Sequence, residues 1–156
     1  MCIRDSPSRA RRILKADDTI IGTVRPGNRS YAFIQNDGLT GSTGFAVMRP
    51  KKQAYRSYIY LGLTNDDVID HFSHIADGGA YPAIRPDVVA NLECVISPDK
   101  ALEAFDNLAY SFVQKIGKHE NQGVCLANLR DTLLPKLLSG ELRIPDAEKL
   151  IAEAQT

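Results

Sequence analysis

A helical repeat of apolar residues in the last third of the chain constrains the fold most strongly. From Leu102 the apolar positions advance by three or four residues, the interval that returns side chains to one face of a helix packed on another helix. They are Leu102, Phe105, Ala109, Phe112 and Ile116. A helix that begins near Ala101 therefore requires a partner for this face.

The same helix is expected to continue with its apolar stripe in a shifted phase. Gly117 and Gly123 each destabilise a helix by about 1 kcal/mol relative to alanine. The middle of this long helix is therefore expected to be a local defect or a hinge. Pro135 lacks a backbone N–H, so the helix must kink there or end near Leu134, and Gly140 terminates any helical continuation beyond the proline. The candidate interface to a partner helix or subunit comprises Leu102, Phe105, Phe112, Ile116, Leu126, Leu129, Leu133 and Leu137.

The first third of the chain alternates short β-branched or aromatic runs with glycine, asparagine and proline, which is typical of strands joined by tight turns. We predict strands at Thr19 to Val24, Tyr31 to Gln35 and Thr43 to Met48. Proline cannot donate to a strand ladder, so Pro26 and Pro50 each end a strand.

The middle of the chain has mixed signals. The spacing of Tyr58, Ile59 and Leu63 is helical, although these residue types also suit a strand. Thr64 or Asn65 is a good N-cap for a helix that runs through Ile75. The stretch "VVANLECVI" predicts a short helix followed by a strand.

Charge is distributed unevenly along the 156 residues. The chain has 19 basic and 19 acidic residues, but 11 of the basic and four of the acidic ones lie at or before Arg56. The first third therefore carries a net charge of +7 and the remainder −7. A basic segment suits a phosphate backbone, because neutralised phosphates release counterions, but an ordinary solvated face is an equal alternative on charge alone.

Cysteine and histidine positions give no support for a metal or catalytic site. The three cysteines are far apart, which fits a reducing cytoplasm, and Cys94 and Cys125 are interpreted as buried small residues. Asp70, His71 and His74 fall within one helical turn, yet no third and fourth ligand are evident, so surface histidines are the better interpretation. We expect no cofactor and no bound metal. No run approaches the roughly 18 apolar residues of a membrane span.

Nine polar residues in the turns of the basic segment are candidates for DNA contact. Arginine can bridge guanine O6 and N7, asparagine can do the same for adenine, and lysines and hydroxyls suit phosphates. The candidates are Arg25, Asn28 and Arg29 in the first turn, Thr40, Ser42 and Thr43 in the second, and Lys51, Lys52 and Arg56 beyond it.

Several stretches together resemble the DNA-specificity subunits of type I restriction-modification enzymes. "LRDTLLPKLLSGEL" resembles the end of that family's conserved helix, and "GGAYPAIRPDVVANLECVISPD" resembles the junction before it. "TIIGTVRPGNRSYAFI" and "STGFAVMRP" are similar to strands of its target recognition domain. The resemblance covers roughly residues 17 to 145. It implies a mixed α/β recognition domain followed by a long helix of coiled-coil type.

The resemblance also implies a function. A specificity subunit is non-catalytic: it reads one half of a split double-stranded DNA target and docks methyltransferase subunits and, through them, a restriction subunit. Its helix pairs with an equivalent helix of a second recognition domain or a second copy. A complete subunit has two domains and two helices, so this chain is expected to be a half-subunit or a truncated piece.

The expected organisation is a non-native leader at residues 1–7, a partial recognition domain at 8–98, a spacer helix at 99–145 and a tail at 146–156. Two other functions remain open. One is a helical interaction or scaffold protein without DNA specificity, and the other, with least support, is an independent hydrolase that uses His71, His74 and a carboxylate.

Overall fold

The computed structural model describes residues 10–146 and 149. The predicted leader at residues 1–7 and nearly all of the predicted tail lie outside these described residues. The chain divides into two compact units, Met1–Gln114 and Lys115–Thr156. The predicted boundary between recognition domain and helix, at residue 98, is a functional division and stays a prediction.

Two small antiparallel sheets form the β part of the first unit. Strands β1 (Ala10–Ile13) and β4 (Thr40–Ser42) pair with each other. Strand β2 (Thr19–Gly22) lies between β3 (Tyr31–Phe33) and β5 (Phe45–Met48), with Thr19 opposite both Phe33 and Met48. The three predicted strands are confirmed with shorter bounds, whereas β1 and β4 were not predicted.

Three short helices follow the strands. They are α1 (Arg56–Leu63), α2 (Asp66–Ile75) and α3 (Pro86–Ala90). The side chain of Asn65 accepts a hydrogen bond from the Asp67 N–H at 2.9 Å, so the predicted N-cap is confirmed. The predicted strand after α3 is wrong, because residues 91–98 form no ladder and run as irregular chain.

The core of the first unit lies where the central sheet meets the helices. Ile21 of β2 and Ala46 of β5 pack with residues of all three short helices. The helical contributors are Leu63, Ile69, Phe72 and Val89, joined by Ile84 from the segment before α3. Ile69 and Phe72 lie on the buried face of α2, whereas Ile75, at the end of the same helix, is 43% exposed.

Helix α4 spans Asp99–Leu138 and contributes residues to both units. The predicted alternative in which the helix ends near Leu134 is wrong, because it continues for four residues past that point. Pro135 removes one N–H, but its own carbonyl accepts the N–H of Ser139 at 3.0 Å, so the ladder resumes. The predicted termination at Gly140 is confirmed by its φ of 75°. Among the described residues, no helix has the length and apolarity required to cross a membrane.

The face of α4 that packs into the first unit is one row away from the predicted seam. Leu102, Asp106, Ala109 and Val113 are buried. Of the predicted seam only Leu102 and Ala109 belong to this buried row. Phe105 and Phe112 are 40% and 56% exposed, and Ile116, in the second unit, is 51% exposed.

The buried Asp106 carboxylate joins α4 to α1. It accepts hydrogen bonds from the Ser57 hydroxyl at 2.5 Å and from Arg56 Nε at 3.0 Å. The Arg56 guanidinium also lies 3.3 Å from Asp17 and 3.2 Å from the centre of the Tyr110 ring. A buried charge is stable only with such partners, so this cluster fixes the position of α4 within the first unit.

A second buried carboxylate, Asp18, orders the β1–β2 turn. It accepts two hydrogen bonds from Arg49, at 2.7 and 2.6 Å, and one from the Lys15 N–H at 2.8 Å. Burial raises the pKa of Asp18, but the hydrogen bonds of Arg49 and Lys15 outweigh it, and the pKa lies below its ordinary value. Asp18 therefore remains ionised and keeps Arg49 beside the turn.

We expect Asp106→Ala to lower the free energy of unfolding by about 3 kcal/mol, because Arg56 and Ser57 lose a buried acceptor. Urea titration followed by circular dichroism measures the change. Glu103→Ala, at an exposed position of the same helix, is the control and should change the value by no more than about 0.5 kcal/mol. Equal effects of the two substitutions would contradict a stabilising role for the Asp106 cluster.

Candidate nucleic-acid interface

The predicted first turn is a rigid tip with an arginine at each end. Pro26–Asn28 forms one turn of 3-10 helix, with Pro26 buried. Arg25 and Arg29 flank it with φ values of 49° and 57°, in the left-handed region. Such a conformation costs a non-glycine residue about 1 to 3 kcal/mol, so it persists only where the surrounding structure imposes it.

A second turn, residues 77–83, lies against the first. The Arg25 N–H donates to the Pro82 carbonyl at 2.7 Å, and Val24 forms a β-bridge with Ala83. The Arg25 guanidinium donates to the Ala80 carbonyl at 2.9 Å and lies 4.7 Å from the centre of the Tyr81 ring. We call residues 25–29 and 77–83 the paired turns, since these contacts make them one surface feature.

Helix α2 supports the paired turns from the other side. Arg29 forms an ion pair with Asp66, in the first turn of α2, and the side chains of Arg29 and Asp66 are 49% and 72% exposed, respectively. Gly27 approaches α2 so closely that a Cβ atom there would lie 2.9 Å from the Ser73 hydroxyl. An exposed ion pair is worth at most about 1 kcal/mol, so a phosphate can compete with Asp66 for Arg29.

The predicted second turn is partly a strand in the structure. Thr40 and Ser42 belong to β4, opposite Ile13 and Ala10 of β1. Thr43 remains exposed in the following turn, and the next residue, Gly44, accepts hydrogen bonds from the backbone and the hydroxyl of Thr23. Thr43 is therefore adjacent in sequence to a glycine that is bonded to Thr23, two residues before Arg25.

The third predicted group separates into exposed lysines and a buried arginine. Lys51 is exposed. Lys52 pairs with Asp99 at 2.8 Å, and this hydrogen bond raises the pKa of Lys52 and lowers that of Asp99. The Arg56 side chain is only 15% exposed and is engaged by Asp17 and Asp106. We therefore assign Arg56 to the stability of the first unit rather than to DNA contact.

The predicted exposure of the histidines agrees with the structure, whereas the predicted burial of the cysteines does not. Cys94 and Cys125 are both exposed, so the prediction that they are buried is wrong. Cys94 lies in the irregular segment that was expected to be a strand, and Cys125 lies on the outer surface of α4. His71 and His74 are surface residues of α2, as expected, and no group of three potential metal ligands occurs within the described part of the chain.

Sequence reasoning missed the position of Tyr81. The glycines before Tyr81 predict a turn that packs this ring beneath the junction with the long helix, but the residue is 69% exposed and lies against the Arg25 guanidinium. A tyrosine between Gly78-Gly79 and Pro82 was the available signal, because turn residues on both sides place an aromatic side chain at a surface tip. Its arginine partner, 56 positions earlier, could not be identified from local spacing.

Comparisons with known proteins give one consistent result. The chain is 32% identical over 103 residues to the type I restriction enzyme HindI specificity subunit of Haemophilus influenzae, which covers 63% of the chain and 22% of the relative. It is 33% identical over 69 residues to the MjaIX specificity subunit of Methanocaldococcus jannaschii, covering 44% of the chain and 16% of that relative. No protein-family model matches the chain.

Solved structures agree on the fold. The HsdS subunit from Thermoanaerobacter tengcongensis aligns over 84% of the chain and 34% of that structure, with a TM-score of 0.56 and 25% identity. A structure concerned with assembly and conformational transition of the type I R-M system aligns over 91% of the chain and 37% of its own, with a TM-score of 0.58 and 24% identity. The predicted mixed α/β fold with a long C-terminal helix is confirmed.

The chain thus spans about a fifth of the length of the curated relatives it matches and about a third of the matching structures. The resemblance inferred from the sequence motifs is confirmed over this part. Both curated relatives are named as specificity subunits of type I restriction enzymes.

Gly78 is the residue on which the geometry of the second turn depends most directly. Its φ is 123°, and an added Cβ atom would lie 2.8 Å from the Tyr81 carbonyl oxygen. We expect Gly78→Ala to lower the free energy of unfolding by about 1 to 3 kcal/mol. Gly62→Ala is the control: it meets no atom within 4 Å in α1 and should raise the same value by up to about 1 kcal/mol. Thermal melts of both variants measure the difference, and a neutral Gly78→Ala would contradict a fixed turn.

Proposed function

From its similarity to part of the type I specificity subunits, we propose that the chain is a DNA-recognition segment of a type I restriction-modification complex. It reads one half of a bipartite target in double-stranded DNA and itself catalyses no reaction. The proposal rests on the paired turns, in which Arg25 and Arg29 adopt the left-handed backbone conformation. These turns occur in a chain that is similar to the type I specificity subunits.

We assign the base and phosphate contacts to the exposed members of the predicted set. Arg25 and Asn28 are suited to base edges, because both side chains can make bidentate hydrogen bonds in the major groove. Arg29, Lys51 and Lys52 are suited to phosphates, which fix the position of a protein on the duplex without carrying sequence information. Of the hydroxyl-bearing candidates, Thr40 and Thr43 are exposed and Ser42 is half-buried, so the threonines have the better access to the backbone.

The exposed apolar residues of α4 supply the second part of the proposal. On the first unit, Phe105, Leu108 and Phe112 expose 40%, 65% and 56% of their area, respectively. The leucines of the second unit divide similarly, with Leu126 exposed and Leu129, Leu133 and Leu137 half-buried. Exposed apolar surface of this kind marks protein contact sites. We assign it to pairing with an equivalent helix and to docking of a modification subunit, which co-purification of co-expressed chains tests.

A helical scaffold without DNA specificity is the competing function, because the exposed face of α4 supports it equally well. DNA binding separates the two. A recognition segment binds duplex DNA with an affinity that falls steeply with salt and prefers one short sequence, whereas a scaffold associates with proteins and shows no such preference.

We expect Arg25→Ala combined with Arg29→Ala to weaken binding to a fluorescent pool of duplexes. The salt dependence of log K should decrease in slope by about one for each arginine that contacts a phosphate. Fluorescence anisotropy between about 50 and 200 mM salt, concentrations over which such contacts are strongly screened, measures both quantities. Lys115→Ala combined with Lys118→Ala removes the same charge from exposed positions of α4 and is the control. Unchanged affinity and slope in the arginine variant would contradict this placement of the interface.

We expect Leu108→Ser combined with Phe112→Ser to reduce self-association of the chain, since both side chains are exposed on the proposed pairing face. Sedimentation velocity over a range of protein concentrations measures the effect. Lys100→Ser combined with Glu103→Ser, also exposed on α4, is the matched control. If both variants self-associate like the parent chain, the helix pairs through a different face.

A further inference from the structure

We propose that Tyr81 is a specificity-determining residue that positions Arg25 for contact with a guanine base. This inference rests on the proposed DNA-binding function and adds a named pair of residues and a named base to it. Tyr81 acts through Arg25: its ring holds the guanidinium in one orientation before DNA arrives.

The contacts of Arg25 show that its side chain is ordered on the protein surface. The guanidinium carbon lies 4.7 Å from the centre of the Tyr81 ring, and one terminal nitrogen donates to the Ala80 carbonyl at 2.9 Å. A guanidinium has five N–H donors in a planar fork. Within the described part of the chain, the Ala80 bond uses one of them, and the others remain for a ligand.

The backbone on both sides holds the pair in place. The Arg25 N–H is bonded to the Pro82 carbonyl, so the arginine and the tyrosine turn cannot move apart without breaking that bond. The turn itself is closed by two hydrogen bonds between Asp77 and Ala83, at 3.2 and 2.8 Å, and by the Tyr81 N–H to the Gly78 carbonyl at 3.0 Å. The backbone of Tyr81 is therefore held by hydrogen bonds on both sides, although 69% of the residue is exposed.

Ordering of this kind favours guanine among the four bases. Arginine reads guanine through paired hydrogen bonds to O6 and N7, which requires the fork to lie in the plane of the base. Contact with the Tyr81 ring and the bond to Ala80 restrict the guanidinium to fewer orientations than a free arginine side chain samples. The Arg25–Tyr81 pair thus has the chemistry of a guanine reader, and a lysine in place of Arg25 would keep the charge but lose the fork.

The exposed surroundings of Tyr81 argue against a purely structural role. Tyr81 does not belong to the core cluster of the first unit, which is formed by β2, β5 and the short helices. An exposed cation–π contact contributes little to folding. The position of Tyr81 at a tip beside an exposed arginine is better explained by what the pair presents to a ligand.

The test uses the full chain and a pool of duplexes with a random central sequence, from which the preferred duplex is selected and sequenced. Binding is then measured to that duplex, to versions carrying 7-deazaguanine at each guanine, and to an unselected duplex. The variants are Tyr81→Ala, Tyr81→Phe, Arg25→Lys and Arg25→Ala. Circular dichroism and urea midpoints show that each variant is folded.

We expect one guanine at which 7-deazaguanine weakens binding of the parent chain by about tenfold, the size of one good base contact. Tyr81→Ala and Arg25→Lys should each lose this discrimination, and Tyr81→Ala should still bind the unselected duplex within about twofold of the parent, since phosphate contacts supply that non-specific binding. Tyr81→Phe keeps the ring and should keep the discrimination. Tyr81→Ala in the Arg25→Ala background should have no further effect.

Three results would overturn the inference. Retained discrimination in Tyr81→Ala, loss of it in Tyr81→Phe, or additive effects of the two alanine substitutions would each show that stacking does not position Arg25. The proposed function fails separately, if the parent chain binds no duplex in a salt-dependent way or selects no sequence from the pool.

Discussion

The ion pair between Arg56 and Asp106 is the interaction on which the rest of the first unit depends. Asp106 lies on α4 and Arg56 is the first residue of α1. Asp17, in the β1–β2 turn, pairs with the same guanidinium. Removing one member of a buried pair is strongly destabilising, so the cluster links the stability of the three segments. The long helix therefore begins as an integral part of the mixed α/β unit, where Leu102, Ala109 and Val113 accompany Asp106 in the buried row.

The arginines of the first third fall into two groups, one that stabilises the fold and one that lies on the paired turns. Arg49 and Arg56 neutralise the buried carboxylates Asp18 and Asp106 and stabilise the fold. Arg25 and Arg29 belong to the paired turns. One terminal nitrogen of Arg25 donates to Ala80, and the ion pair of Arg29 with Asp66 is exposed to solvent. The excess of positive charge in the sequence thus overstates the charge available to a nucleic acid. Within the remaining group, Arg25 and Arg29 flank one rigid turn, where individual side chains are better suited to specific contacts than to a broad basic surface.

Helix α4 shows a similar division between its faces. One row is used by the first unit, and the adjacent row leaves Phe105, Leu108 and Phe112 largely in solvent. A 3.6-residue period places both rows within one broad apolar stripe, and the stripe is wider than a single contact needs. The exposed part is what a pairing helix or a docked subunit requires. The buried row that holds α4 in the first unit is therefore distinct from the exposed row that is proposed for assembly.

The sequence by itself determined the features that depend on neighbours along the chain. Helical spacing predicted α2 and α4, the Asn65 side chain capped α2, and Gly140 adopted a positive φ just after α4. Caps and periodicity can be predicted because they involve residues only a few positions apart. Tertiary structure decided the rest. The pairing of β1 with β4, the exposure of Cys94, the burial of Arg56 and the stacking of Tyr81 on Arg25 each depend on residues far apart in sequence. An arginine has the same local signal whether a carboxylate, an aromatic ring or solvent will surround it, and only the folded chain selects among these.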